Sequence, residues 1–207
     1  MPRTSTGFID RFLVTAESYS IPAGIIFNKK DVFNNELKNY VDELNNLYEG
    51  IGYKCFTVSA LQQESLTALQ NVLKNKVTLF SGHSGVGKST LINSLIPGLN
   101  LKTAEISEHH QKGIHTTSFA EMHQFPEGGF IIDTPGIREF GILDVVPSEV
   151  CHYFPEMFKL IKDCKFNNCT HTNEKECAVL KAVEDGRVYE SRYESYLSIL
   201  NNEDIFR

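Results

Sequence analysis

No stretch of this 207-residue chain stays apolar for long. A bilayer-spanning helix needs about 20 consecutive apolar residues, and no run here approaches that, so the sequence predicts no place in a membrane. The opening residues, MPRTSTGFID, lack the apolar core of a secretory signal. Internal repeats and low-complexity tracts are missing too. So is an excess of basic charge: Lys and Arg number 20 against 26 Asp and Glu, a net charge of −6. Affinity for nucleic-acid backbones comes mainly from clustered Lys and Arg, which argues against a simple basic nucleic-acid binder but leaves room for a local basic face. These absences read as a cytoplasmic chain, and in the cytosol its five cysteines are thiols or metal ligands rather than disulfides. What remains, 41% hydrophobic and 22% charged, suits a globular chain that buries a core.

The apolar spacing sorts the chain into strands and helices. Ile9, Phe12, Leu13 and Ala16 recur at helical intervals between Gly7 and Tyr19. AGIIF (Ala23–Phe27) reads as a buried parallel strand, Glu36–Tyr48 as a helix, and KCFTV (Lys54–Val58) as a strand. Glu64–Leu73 reads as a helix, VTLFS (Val77–Ser81) as a strand, and a further helix starts at Gly87–Lys88. A long polar stretch, Pro97–His115, separates this from two strands, SFAEMHQF and GFIIDTPG, joined by the hairpin signal PEGG. Strands alternating with helices predict an α/β sheet covered on both faces. After about Val146 the texture changes to short helices around a Cys/His cluster. The expected partition is therefore an α/β domain over 1–146 and a small α-helical domain over 147–207.

Gly82-His83-Ser84-Gly85-Val86-Gly87-Lys88-Ser89 fits the phosphate-loop pattern, with a predicted strand before it and a helix after it. Backbone N–H groups of such a loop curl around phosphates, and the helix N-terminus adds positive charge. Lys88 would reach the β/γ oxygens, the Ser89 hydroxyl would bind Mg²⁺, and Thr90 lies next along the site. In IIDTPG, Asp133 ends an apolar strand, where a carboxylate holds Mg²⁺ through water, and the Gly136 N–H can sense a γ-phosphate. FNKKD supplies base choice. Guanine offers N1–H and an exocyclic amine to one carboxylate, so Asp31 would accept both. Asn28 would bond the base and tie loops, the Lys29 stem would cover a ring face, and Lys30 completes the segment. Ser59–Ala60 would aim the Ala60 N–H at guanine O6. Alone NKKD is a weak signal; its place at a strand end, one strand–helix unit before Ser59–Ala60, strengthens it. GTP is the expected nucleotide, with an ATPase as the weaker alternative.

The order is unusual. The base-reading segment leads and the phosphate loop follows, which is the ordinary GTPase cycle opened at a new point. Such circular permutation is tolerated where termini lie close together at the surface. With that order, the segments IDRFLVTAE, FNKKD, GHSGVGKSTLIN, GIHTT, DTPGIREFG, CKFNNCTHTNEKEC and GRVYESRYESYLSIL make the chain resemble the small-ribosomal-subunit-dependent GTPases known as RsgA or YjeQ. The resemblance implies a circularly permuted P-loop GTPase domain with a zinc-binding helical domain. It further implies GTP hydrolysis to GDP in late maturation of the small (30S) subunit, with that subunit, its 16S rRNA and its proteins, as partner of a monomer. That family carries an OB-fold and one more sheet strand ahead of the IDRFL helix. The extra strand would lie between the phosphate-loop strand and AGIIF, so the chain is expected to be a fragment of a longer protein.

Many GTPases orient the attacking water with a Gln just after the DxxG segment. Here Gly136 is followed by Ile137, so His115 in GIHTT becomes the catalytic candidate, a plain loop His being the alternative. Thr116 or Thr117, with Thr117 preferred, would complete the Mg²⁺ shell as GTP orders the loop. Cys164-x₄-Cys169-x-His171-x₅-Cys177 offers three thiolates and an imidazole, a closed tetrahedral set suited to one structural Zn²⁺. Cys55 reads as a packed small hydrophobe and Cys151 as structural. The Val188–Leu200 helix, with Tyr189, Tyr193, Tyr196 and Leu197, reads as packing in preference to RNA stacking. Against the GTPase reading stands a catalytically silent GTP-binding or zinc interaction module.

Overall fold

The structure, a computed structural model, describes residues 4–102, 120–134 and 145–202. Its elements run α1 (Thr6–Ser18), β1 (Gly24–Phe27), α2 (Asn35–Ile51), β2 (Lys54–Thr57), α3 (Thr67–Leu73), β3 (Lys76–Phe80) and α4 (Lys88–Leu95). The hairpin β4 (Glu121–Gln124) and β5 (Gly129–Asp133) follows, then α5 (Pro155–Phe158), α6 (Ala178–Glu184) and α7 (Glu190–Leu200). The chain divides into two compact units that are discontinuous in sequence. One holds Gly24–Tyr48 and Lys54–Arg138; the other joins Thr4–Ala23 and Glu49–Tyr53 to Glu139–Arg207. The texture change at Val146 is a single cut along the chain, whereas compactness groups α1 with the C-terminal helices.

In the first unit β1 pairs in parallel with β2, and α2 crosses between them with Val41, Leu44 and Leu47 buried. In the second sheet β5 lies centrally, parallel to β3 and antiparallel to β4. Among the described strands, β1 and β3 each lie at the edge of a sheet. The β4–β5 turn depends on backbone freedom: Gly129 has φ +88°, and a Cβ there would meet the Lys76 carbonyl oxygen at 2.1 Å.

α3 and α4 pack on one face of this sheet. Leu66, Leu69 and Leu73 join Leu91, Ile92 and Leu95 over Phe80 and Ile131 in one apolar cluster. The other face carries Val77, Leu79, Met122 and Phe130, all exposed. The expected cover on both faces is therefore seen on one among the described residues. The β3–β5 register sets Phe80 opposite Asp133, so the strand feeding the phosphate loop and the strand ending in the carboxylate finish together.

The second unit has its own core, in which Val14, Val150, Phe154, Met157, Val179, Tyr196 and Ile199 cluster. Ser5 caps α1 by accepting the Phe8 N–H. An aromatic side chain buries about 150–250 Å², which makes Phe154 and Tyr196 large contributors here, and their rings meet edge to face at 5.7 Å.

Candidate functional site

The phosphate loop turns on two left-handed glycines, Gly85 (φ +83°) and Gly87 (φ +86°), before Lys88 opens α4. A Cβ on Gly87 would lie 2.7 Å from Asn28 Nδ2, so this position needs glycine for conformation and for space. Lys88 is nearly buried, and its ammonium sits 3.3 Å from Asp133 Oδ1 and donates to the Thr134 carbonyl. Asp133 is fully buried, and the Thr134 hydroxyl donates to the Phe80 carbonyl at 2.9 Å, which pins the two strand ends together.

The base-reading segment folds onto this loop. Asn28 Nδ2 donates to the Val86 and Gly87 carbonyls at 3.2 and 3.3 Å. Its Oδ1 accepts the Ala60 N–H at 3.2 Å, so one side chain ties three loops. Lys29 is left-handed (φ +67°) and its ammonium donates to the Gly85 carbonyl at 2.7 Å. The Lys30 N–H donates to the Val58 carbonyl, extending the β1–β2 alignment by one bond. Asp31 is exposed, and its Oδ1 accepts the buried Ser59 hydroxyl at 2.5 Å. Segments separated by more than fifty positions thus converge as the permuted reading expects. The Ala60 N–H, expected at guanine O6, is engaged by Asn28. Gly82, His83, Ser84, Ser89 and Thr90 lie along the loop and the first turn of α4, half-buried. Gly136, His115, Thr116 and Thr117 lie outside the described residues.

A cleft of about 640 Å³ opens beside Lys30, Gln62, Gln63, Glu64 and Ser65, next to the base-reading loop. Sequence reasoning passed over this rim, because Gln and Ser there match no motif.

The Cys/His cluster forms in the second unit. The ligand atoms of Cys164, Cys169, His171 and Cys177 all lie within 4.8 Å of one another. His171 Nδ1 is 3.4 Å from Cys177 Sγ and 3.6 Å from Cys164 Sγ, and the two sulfurs are 4.0 Å apart. With metal–sulfur bonds of about 2.3 Å, a tetrahedral ion separates its sulfurs by about 3.8 Å, so the cluster can hold a metal ion. Burial pushes the Cys169 thiol up to about 12, raises Cys177 and lowers His171.

The loop bearing these ligands is fastened at every turn. Glu174 accepts from the Thr170 hydroxyl at 2.6 Å and from the Thr170 and Thr172 N–H groups at 2.5 and 2.9 Å. Desolvation alone would raise its carboxyl, but these hydrogen bonds bring it down to about 2. From α7, the Tyr193 hydroxyl donates to the His171 carbonyl and the Tyr196 hydroxyl to the Thr170 carbonyl, both at 2.7 Å. Tyr196 is buried and Tyr193 half-buried against this loop, while Tyr189 is exposed. Cys151 is buried outside the cluster, its thiol pushed up to about 12 by burial, and Cys55 is half-buried in β2.

Residues 1–143 match the family described as RsgA GTPase. A small ribosomal subunit biogenesis GTPase RsgA of Bacteroides fragilis is 57% identical over 98% of this chain and 66% of its own length. One from Flavobacterium psychrophilum is 52% identical over 98% of this chain and 62% of its own. The chain thus spans less than two thirds of the length of these curated relatives. The crystal structure of YjeQ from Thermotoga maritima superposes with a TM-score of 0.83 at 37% identity, covering 100% of this chain and 69% of that one. YloQ, described as a circularly permuted GTPase, gives 0.79 at 28% identity over 98% of this chain and 64% of that one.

Proposed function

The chain belongs to the RsgA GTPase family, and from that membership we propose that it binds GTP and hydrolyses it to GDP and phosphate, as a switch in late maturation of the small (30S) ribosomal subunit. The observation that carries this is the fastening of Asn28 and Lys29 onto the Val86, Gly87 and Gly85 carbonyls. Those bonds join a base-reading segment to a phosphate loop that follows it in sequence, which is what a permuted guanine-nucleotide site requires.

In this reading the loop Gly82–Ser89 and Thr90 wrap the phosphates, and Lys88 leaves Asp133 for the β/γ oxygens. Asn28, Lys29, Lys30 and Asp31 hold the guanine with Ser59 and Ala60. Mg²⁺, when bound, neutralises charge developing on the phosphates. Ser89, Thr117 and Asp133 would hold that ion, and the Gly136 N–H would sense the γ-phosphate. His115 orients the attacking water. Cys164, Cys169, His171 and Cys177 hold a structural Zn²⁺ that substitutes for a larger core in the second unit. The partner is the small subunit, its 16S rRNA and its proteins, met by a cytoplasmic monomer.

Single-turnover GTP hydrolysis with and without purified small subunits tests the reading. Turnover that is slow alone and rises by orders of magnitude with subunits is expected. Bound nucleotide with no stimulation would instead favour a silent GTP-binding module. His115→Ala is expected to slow stimulated turnover and leave GTP binding intact.

A further inference from the structure

We infer that Ser94, on the helix that follows the phosphate loop, is a positioning residue for base specificity, acting through a hydrogen-bond relay that ends on Asp31. This rests on the reading of Asp31 as the guanine-binding carboxylate. The Ser94 hydroxyl donates to the Ala60 carbonyl at 2.6 Å. The other end of that peptide group, the Leu61 N–H, donates to Ser59 Oγ at 3.2 Å. The Ser59 hydroxyl in turn donates to Asp31 Oδ1 at 2.5 Å.

Each step has a physical reason to matter. A serine in a helix ordinarily donates to the carbonyl four residues back, and for Ser94 that acceptor, Thr90, lies at 3.0 Å. The shorter bond goes out of the helix to Ala60. Ser59 has one hydroxyl proton, and with the Leu61 N–H already on its oxygen, that proton is directed at the carboxylate. Bonds in such a chain polarise one another, the more so because Ser59 is fully buried. Asp31 itself is exposed, so its orientation must be imposed by a partner. A second tether works from the same rim: Ser65 Oγ accepts the Ser59 N–H at 2.9 Å and donates to the Gln62 carbonyl at 2.7 Å. Gln63 Nε2 then donates to the Ser94 carbonyl at 3.1 Å.

One helix therefore serves both halves of the nucleotide. Its first residue, Lys88, is the phosphate-loop lysine, and its last turn carries the serine that sets the base-reading carboxylate. A carboxylate held in register distinguishes guanine from hypoxanthine by the 2-amino group, because only guanine fills its second oxygen with a donor. A carboxylate free to turn distinguishes them less.

The test is the ratio of dissociation constants for IDP and GDP, measured by titration calorimetry on the 207-residue chain. Ser94→Ala is expected to narrow the preference for GDP about five-fold, the worth of one ordinary hydrogen bond, with GDP weakened more than IDP. Ser94→Thr, which keeps the hydroxyl, is expected to restore the ratio. Equal weakening of both nucleotides, or an unchanged ratio, in Ser94→Ala overturns the relay alone. A wild-type chain that binds neither nucleotide overturns the guanine reading and the relay with it. If Ser94→Ala does not fold, Ser65→Ala loosens Ser59 from the other side and is read by the same ratio.

Discussion

Arg192 Nη1 donates to Asp10 Oδ1 at 2.7 Å, and both side chains are fully buried although 182 positions separate them. The guanidinium also donates from Nε and Nη2 to Glu156 at 2.7 and 3.2 Å, and it lies 4.5 Å above the Phe154 ring. Asp10 Oδ2 accepts the Ser195 hydroxyl at 2.6 Å. Burial alone would make Arg192 a weaker base, but Asp10 and Glu156 hold it above the ordinary arginine range. This network fastens α1 to α7 and to α5 inside the second unit.

Removing Asp10 leaves the buried guanidinium with Glu156 alone and its Nη1 donor unsatisfied, which costs about 1 to 3 kcal/mol. Asp10→Ala is expected to destabilise the second unit by that amount in urea denaturation followed by tyrosine fluorescence. Arg192→Lys is expected to recover little, since an ammonium cannot meet two carboxylates with a planar fork. A loss under about 0.5 kcal/mol for Asp10→Ala, the level of an ordinary surface substitution, would contradict this account.

Little of that network was legible in the sequence, for a physical reason. The helical spacing of Ile9, Phe12, Leu13 and Ala16 finds α1, but the fully buried positions are Gly7, Asp10, Leu13 and Val14. The stripe is turned so that a carboxylate faces inward, which only its distant arginine makes tolerable. Patterning treats Asp and Arg as solvated, and nothing local says that two such residues will meet. The phosphate loop and NKKD are the opposite case. Their demands are local, a left-handed glycine here and a carboxylate at a strand end there, so residue type and spacing carry them. The metal cluster is equally legible, since three cysteines and a histidine lie within fourteen positions. Ser94 and Ser65 escaped notice because serine is common and their work depends on where tertiary packing puts one hydroxyl.

Gly87 offers a direct check on the loop geometry. Gly87→Ala would force a side chain into a left-handed conformation, costing about 1 to 2 kcal/mol, and would push Asn28 from its place. GDP affinity is expected to fall at least about ten-fold, which corresponds to roughly 1.4 kcal/mol. Unchanged GDP affinity in this variant would mean that the Asn28–Gly87 contact does not organise the site.

The metal cluster predicts a second, separable instability. Structural zinc contributes to folding outright, so chelation with a strong zinc ligand is expected to lower the melting temperature, and readdition of Zn²⁺ to restore it. Cys177→Ser is expected to abolish that response. Glu174→Gln, which keeps the shape but replaces an ionised acceptor of three hydrogen bonds to Thr170 and Thr172, is expected to weaken zinc retention against a competing chelator about ten-fold. A melting temperature indifferent to chelation would show that the cluster holds no structural metal.

In the proposed reading Asp31 accepts the guanine edge, and its chemistry permits a change of preference as well as a loss. An ionised carboxylate presents two acceptors, matching N1–H and the 2-amino group of guanine. Asparagine presents one acceptor and one donor, matching N1–H and the 2-carbonyl of xanthine. Asp31→Asn is therefore expected to lower GDP affinity at least about a hundred-fold, since a site built around hydrogen bonds strongly rejects a mismatched edge. It is expected to gain affinity for XDP in the same assay. The Ser59 hydroxyl can donate to the amide oxygen as it does to Oδ1, so the side chain keeps its orienting bond and its oxygen stays fixed. GDP lost with no gain for XDP would mean that Asp31 supports the loop without reading the base.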